Sequence, residues 1–275
     1  MDYTYQQILF AFLLTLFAGL STSVGSLIAL FAKKTNTKFL CLSLGFSAGV
    51  MIYVSFVEIL AKSKDILTAD FGDQIGSYYT AAAFFAGILI TAIIDRLIPE
   101  FENPHEHHRV EEMNKSSQLT DGSARLLRMG MFTALALSLH NFPEGIATFT
   151  AALNDSSLGM AIAVAIAIHN IPEGIAVSVP VYHATGSKKK AFWISTLSGL
   201  AEPVGAVLCY LLFMPFIAAN PSLIGVLFGG VAGIMVFISL DELLPAAEEY
   251  GEHHLAIYGL IAGMMVMALS LLLFV

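Results

Sequence analysis

Charge is the property that this sequence has least of. Only 12% of its 275 residues are Asp, Glu, Lys or Arg, whereas 57% are hydrophobic. A soluble globular domain has about 25% charged and about 45–50% apolar residues. No basic block in the chain is of a kind that suggests nucleic-acid binding. These deficits exclude a soluble enzyme with a large core and predict an all-α polytopic membrane protein.

Three other absences narrow the class of protein to which the chain can belong. The two cysteines, Cys41 and Cys209, fall in separate apolar segments, so a disulfide framework is not expected. Residues 1–7 carry no positive charge, and the apolar stretch after them is too long for a signal-peptide core, which predicts a retained first span. No phosphate-binding loop of the form GxxxxGKS or GxxxxGKT occurs, which argues against ATP as an energy source.

Long apolar runs take the place of charge. A membrane-spanning helix needs about 20 mostly apolar residues, and eight segments qualify. They are residues 8–31, 39–61, 77–98, 126–153, 158–182, 191–216, 223–245 and 254–275. The short connections predict antiparallel packing of consecutive helices within a single transmembrane domain, 1–275. The exception is the polar stretch 99–125, which is typical of a flexible loop.

Lysine and arginine are distributed unevenly between the predicted loops. The odd-numbered loops and their edges hold eleven of the thirteen, and the even-numbered loops hold only Lys62 and Lys64. Because positive residues accumulate on the cytoplasmic side, we expect the odd-numbered loops inside and both termini outside. The loop 99–125 then lies in the cytoplasm.

One octapeptide occurs twice within the spans. HNFPEGIA at 140–147 returns as HNIPEGIA at 169–176, with seven of eight positions identical. Five ionisable residues lie well inside spans four to six: His140, Glu144, His169, Glu173 and Glu202. An ionisable group near the bilayer centre costs about 2.5–3.5 kcal/mol on insertion scales. A bound cation would offset that cost.

Helical spacing brings these side chains together. Positions i and i+4 share a helix face, so His140 lies above Glu144 and His169 above Glu173. If the fourth and fifth helices face each other, two imidazoles and two carboxylates converge. This set of nitrogen and oxygen ligands suits Zn²⁺, and also Fe²⁺ or Mn²⁺.

A second metal position follows from neighbouring residues. Asn141 and Asn170 lie about 100° further around their helices, where they would face an adjoining cavity. Glu202, in the sequence AEPVGA, would join Glu144 and Glu173 there.

The prolines and glycines of the repeat fit a polar cleft. Pro143 and Pro172 lack an N–H, so in each helix the carbonyl four residues earlier loses its donor. Such a carbonyl is tolerated at membrane depth where it lines a cavity or meets a ligand. Gly145 and Gly174 leave room for a close approach of neighbouring helices.

The paired motif resembles the signature of the ZIP metal-ion transporters, and the match is nearest to the bacterial zinc transporters of that family. The likeness includes eight spans, outside termini, a His-containing loop after span three, and Glu202-Pro203 on span six. It implies a ZIP-type bundle in the bacterial inner membrane, with spans one to three and six to eight related by a pseudo-two-fold axis. It also implies movement of a metal-carrying bundle against a scaffold, and it leaves a homodimer open as the assembly.

The resemblance further implies uptake of Zn²⁺ into the cytoplasm through a binuclear site, with Fe²⁺, Mn²⁺, Co²⁺ or Cd²⁺ also accepted. By motif match, one metal would be held by His140, Glu144, His169 and Glu173. The other would be held by Asn141, Glu144, Asn170, Glu173 and Glu202. Some family members carry Asp where this chain has Asn170, so the neutral amide lowers the negative charge of the second position.

Weaker signals extend a path toward both membrane faces. Glu58 lies near the outer end of span two and would recruit metal at the entrance, and Met51 shares its helix face seven residues earlier. Asp241 and Glu242 interrupt span seven near its cytoplasmic half and would form an exit. A solvated helix end explains the acids equally well, and packing is the commoner role of Met.

A His-rich tract lies in the cytoplasmic loop 99–125. His105, His107 and His108 are typical of loose metal binding, and an unstructured linker without such binding is the alternative.

Two other classes compete with a transporter. A zinc ion between His and Glu would activate water in an intramembrane zinc-dependent hydrolase, but no HExxH occurs, and four protein ligands leave no position for water. A metal-gated receptor needs an output domain, and only the loop 99–125 is a candidate. We therefore expect a transporter and not an enzyme.

Overall fold

A computed structural model of the chain describes residues 3–31, 37–97, 121–213, 216, 220, 222–250 and 253–273. All regular structure within these residues is helical. The α-helices are α1 (Tyr5–Phe31), α2 (Thr37–Val54), α3 (Leu60–Phe71), α4 (Asp73–Leu97), α5 (Asp121–Asn154), α6 (Ser156–Thr185), α7 (Lys188–Gly199), α8 (Ala201–Leu208), α9 (Ser222–Ile238), α10 (Leu244–Tyr250) and α11 (His253–Leu273). Three π-helical turns join α2 to α3 (Ser55–Ile59), follow α8 (Cys209–Phe213) and join α9 to α10 (Ser239–Leu243).

Within the described residues, seven helical stretches are long and apolar enough to cross a membrane. The fourth predicted span, 126–153, lies inside the single helix α5. Large apolar side chains such as Phe85, Leu89 and Leu269 are exposed, as expected for a surface that contacts lipid. The predicted all-α polytopic architecture is confirmed.

The second helix is longer than the predicted span, which ended at residue 61. The backbone continues through the π turn and α3 to Phe71. Charged residues at 62–65 are unfavourable in lipid but compatible with a helix, so hydropathy marks the end of the apolar surface and not the end of the helix. Gly72 ends it with a φ of 80°, a conformation that glycine adopts at no steric cost.

The boundary of the predicted loop 99–125 also differs from the structure. Residues 121–125 already belong to α5, because the end of the loop sequence is compatible with a helix that begins before its apolar part. The tract His105, His107 and His108 lies outside the described residues.

The helices pack in two groups. One contains α1, α5, α6, α7 and α8, and the other contains α2, α3, α4, α9, α10 and α11. In the first group the backbones touch at glycines, since a Cβ at Gly174 would overlap the carbonyl oxygen of Thr22, and one at Gly145 would overlap that of Glu202. The close approach predicted for both glycines is confirmed, and it is the packing typical of membrane helices. The groups meet where α2 contacts α6 and where α9 contacts α5.

Two distant segments, 45–60 and 229–244, share a sequence pattern. Identical residues at matching positions are Gly45 and Gly229, Ala48 and Ala232, Gly49 and Gly233, Met51 and Met235, Ser55 and Ser239, Glu58 and Glu242, and Leu60 and Leu244. Both segments form an α-helix that widens into a π turn at the shared serine. A π turn is a local departure from α-helical hydrogen bonding that is frequent at functional sites. Each of these two π turns contains a glutamate.

Candidate metal site

The two copies of the octapeptide meet between α5 and α6. Glu144 and His169 are both fully buried, and Nε2 of the imidazole lies 3.2 Å from one carboxylate oxygen and 3.4 Å from the other. Two ligands on a tetrahedral zinc, each about 2.0–2.2 Å from the metal, lie about 3.4 Å apart. The pair therefore has the separation of adjacent ligands on one zinc ion.

Buried carboxylates give this region a negative potential. Glu144, Glu173 and Glu202 are fully buried, and the described part of the chain buries no Lys or Arg with them. Charged carboxylates in a low-dielectric interior are costly unless a cation is close. The electrostatics of the region thus favours a cationic ligand.

Three further buried atoms have no hydrogen-bond partner among the described residues. They are Nδ1 of His169, Oδ1 of Asn141 and Oδ1 of Asn170. A buried polar atom in this condition costs about 1–3 kcal/mol. A cation that took the two amide oxygens as ligands would remove that cost for Asn141 and Asn170.

Both asparagines are fixed by their amide nitrogens. Nδ2 of Asn141 donates to the carbonyl oxygen of Ser198 at 3.1 Å. Nδ2 of Asn170 donates to the carbonyl oxygen of Ala18 at 2.9 Å and also to Oε1 of Glu202. Because the two atoms of an amide head point in different directions, these bonds turn each Oδ1 away from the acceptor. The structure thus brings Asn170 and Glu202, both predicted for the second metal position, into direct contact.

The predicted sixth span is confirmed by a helical stretch, Lys188–Leu212, that is long and apolar enough to cross a membrane, and its α-helix is interrupted at one residue. Leu200 alone separates α7 from α8, and its backbone forms a turn. Pro203 has no N–H for the carbonyl of Gly199, four residues earlier, and this proline was the signal in the sequence. The interruption places Glu202 in the first turn of α8.

One predicted ligand is not described at the side-chain level. His140 lies in α5, four residues before Glu144, and its side chain lies outside the described residues. Among the side chains that are described, no group of three or more His, Cys, Asp or Glu forms a ready metal cluster. The four-residue ligand set stays a prediction, of which the structure brings together Glu144 and His169.

The residues predicted for the outer part of a path, Met51 and Glu58, lie on the second helix. Met51 is fully buried, one turn beyond Ser47, whose hydroxyl donates to the carbonyl oxygen of His169 at 3.4 Å. Met51 therefore lies on the face of α2 that contacts α6. Glu58 is half-buried in the following π turn and lines a pocket between the two helix groups.

The residues predicted for the inner part of a path, Asp241 and Glu242, lie in the π turn between α9 and α10. Asp241 is exposed and Glu242 is half-buried. Between α10 and α11, Nδ1 of His253 lies 2.6 Å from Oε1 of Glu248. This end of the chain thus presents several acidic groups and an imidazole to solvent.

Known proteins match this chain over almost its whole length. A family model described as ZIP Zinc transporter matches residues 97–271. "Zinc transporter ZupT" of Oceanobacillus iheyensis is 64% identical over 266 residues, which cover 96% of this chain and 98% of the relative. Proteins of the same name from Chlorobium chlorochromatii (97% of this chain, 98% of the relative) and Streptococcus mutans (98% and 99%) are 61% and 60% identical. The similarity is therefore not confined to the octapeptides.

Proposed function

The chain belongs to the ZIP family, and from that premise we propose that it carries Zn²⁺ across a membrane into the cytoplasm. The observation that carries the proposal is the buried pair Glu144 and His169, whose nitrogen and oxygen atoms lie 3.2 Å apart. This is a ligand pair of the right size for zinc inside a bundle with an apolar exterior. The relatives named as zinc transporters support the choice of substrate.

The same ligand chemistry supports a wider substrate range and a binuclear site. Imidazole and carboxylate also suit Fe²⁺, Mn²⁺, Co²⁺ and Cd²⁺. We assign the first metal to Glu144 and His169, with His140 and Glu173 completing its ligands from the same helix faces. The second metal takes Asn141, Asn170 and Glu202, together with the two glutamates of the repeat.

A path through the membrane follows from the two π turns. Glu58 attracts the cation at the outer end and Met51 lies between it and the buried pair. Asp241 and Glu242 receive the cation at the inner end, and the loop histidines His105, His107 and His108 bind it loosely in the cytoplasm. The direction rests on the excess of Lys and Arg in the odd-numbered loops, which predicts that both termini lie outside.

Uptake of ⁶⁵Zn by proteoliposomes that contain the purified full chain tests the proposed function. We expect time-dependent accumulation above that of protein-free liposomes, because the chain supplies the only route for the ion. If zinc binds tightly but does not accumulate, the transporter proposal fails. The next measurement would then be a search for a cleaved lipid or peptide, as the hydrolase alternative requires.

Asn170→Asp is expected to tighten zinc binding at the second position. The variant replaces an amide that donates to Glu202 by a carboxylate, and two adjacent carboxylates attract a dication more strongly. We expect the second dissociation constant to fall about tenfold, which is roughly the effect of one added charge at short range. Isothermal titration of the purified protein measures it. Asn154→Asp, at the exposed end of α5, is the matched control, and equal constants in both variants would contradict the assignment.

A further inference from the structure

Lys62 places a positive charge in the pocket beside Glu58, at the outer end of the proposed cation path. Among the described residues, Glu58 and Lys62 are the only charged ones that line the pocket. The remaining wall is apolar and includes Ala147 and Ala151 of α5, Ile162 of α6 and Phe228 of α9. The two side chains therefore determine the electrostatics of the pocket.

The pocket lies in line with the buried ligand pair. Ala147 and Ala151 follow Glu144 by three and seven residues, and Ile162 precedes His169 by seven. These spacings put the pocket lining and the pair on the same faces of α5 and α6, within about two turns of each other. A cation that moves between the helix groups toward Glu144 and His169 passes Lys62.

Lys62 is close to Glu58 but is not fixed to it. The two residues are one helical turn apart, and both are half-buried. Lys62 is the positive charge that acts on the Glu58 carboxylate, while Asp65 and Asp155 act on it with the opposite sign. Among the described side chains, no ion pair locks Glu58 and Lys62 together. The ammonium group is thus a counter-ion of Glu58 that no ion pair holds in place within the part of the chain that the structure describes.

Lys62 is also conspicuous in the charge distribution. The even-numbered loops, which we expect on the outer side, contain only Lys62 and Lys64 as positive residues. Lys64 is exposed, whereas Lys62 lines the pocket. A general effect of surface charge on cation uptake would be the same for both residues, but only Lys62 of the two lines the pocket.

We propose that Lys62 is a tethered competitor for the incoming cation and sets the concentration at which uptake half-saturates. The inference rests on the proposed uptake of Zn²⁺. In the absence of metal the ammonium balances Glu58, and an arriving dication must displace it. Passage through the buried pair does not involve Lys62, so the maximal rate is independent of it.

Lys62→Met removes the charge and keeps an unbranched apolar stem. We expect the KM for ⁶⁵Zn uptake to fall about three- to tenfold, the size of a unit-charge repulsion at a partly solvated site, with Vmax unchanged. Lys62→Arg should keep the wild-type KM, and Lys64→Met is the matched control that should leave it unchanged. Lys62→Gln provides a second neutral variant if Lys62→Met does not assemble.

A double variant tests whether Lys62 acts through Glu58. Glu58→Gln alone should raise KM, and in that background the effect of Lys62→Met should largely disappear. An unchanged KM in both neutral Lys62 variants, an equal drop in Lys64→Met, or an undiminished drop beside Glu58→Gln would each overturn the inference while the transporter proposal stands. Absence of uptake by the wild type would overturn both.

Discussion

Replacing His169 by alanine should reduce the initial rate of ⁶⁵Zn uptake by about a hundredfold or more, equivalent to about 2.7 kcal/mol of lost metal stabilisation. The imidazole is fully buried and lies 3.2 Å from the Glu144 carboxylate. Its removal takes a nitrogen ligand from the zinc ion and leaves a gap beside the Glu144 carboxylate, which water would fill as a weaker ligand than imidazole. Few single substitutions in this chain should have a larger effect.

His183→Ala is the matched control for this experiment. His183 lies on the same helix, α6, but is exposed near its end, so uptake should remain close to that of the wild type. Thermal unfolding in detergent separates loss of ligand from loss of fold. Zinc should stabilise the wild type and the control by mass action but should stabilise His169→Ala much less. Uptake by His169→Ala that equals that of the control would remove this residue from the site.

The part of the candidate site that the sequence could predict depends on short-range spacing. The pattern of His and Glu four residues apart fixes which side chains share a helix face, and the expected helices contain both copies. What spacing cannot give is the register between helices. His169 contacts Glu144 on the neighbouring helix α5, and Asn170 donates to Glu202 on α8. These contacts depend on the axial positions of the helices, which the close packing at the glycines of α5 and α6 determines.

Hydropathy could not predict the local changes in helix geometry. The interruption at Leu200 and the π turns alter the pattern of backbone hydrogen bonds, and hydropathy carries no information on that pattern. The repeat between 45–60 and 229–244 is a weak signal in the sequence. Its identical residues are scattered, and most of the chain separates the two copies. The pseudo-two-fold relation between spans one to three and six to eight stays a prediction, and the matching π turns support it.

Gly174→Ala should destabilise the protein strongly although it adds a single methyl group. The new Cβ would overlap the carbonyl oxygen of Thr22 in α1, and a backbone carbonyl cannot rotate away as a side chain can. Overpacking of this kind costs about 1–3 kcal/mol and occasionally more. We expect a Tm in detergent that is clearly lower than that of the wild type.

The same substitution should also impair transport, because α1 holds part of the site. Asn170, one turn before Gly174, donates to the carbonyl oxygen of Ala18 on α1 at 2.9 Å. Separation of α1 from α6 would break that bond and shift Asn170 relative to Glu202. Gly230→Ala is the control, since the nearest atom to its new Cβ, outside its own helix and chain neighbours, is 3.9 Å away, and its Tm and uptake should match the wild type. If Gly174→Ala behaved like this control, α1 would not lie against α6 at the distance that supports the second metal position.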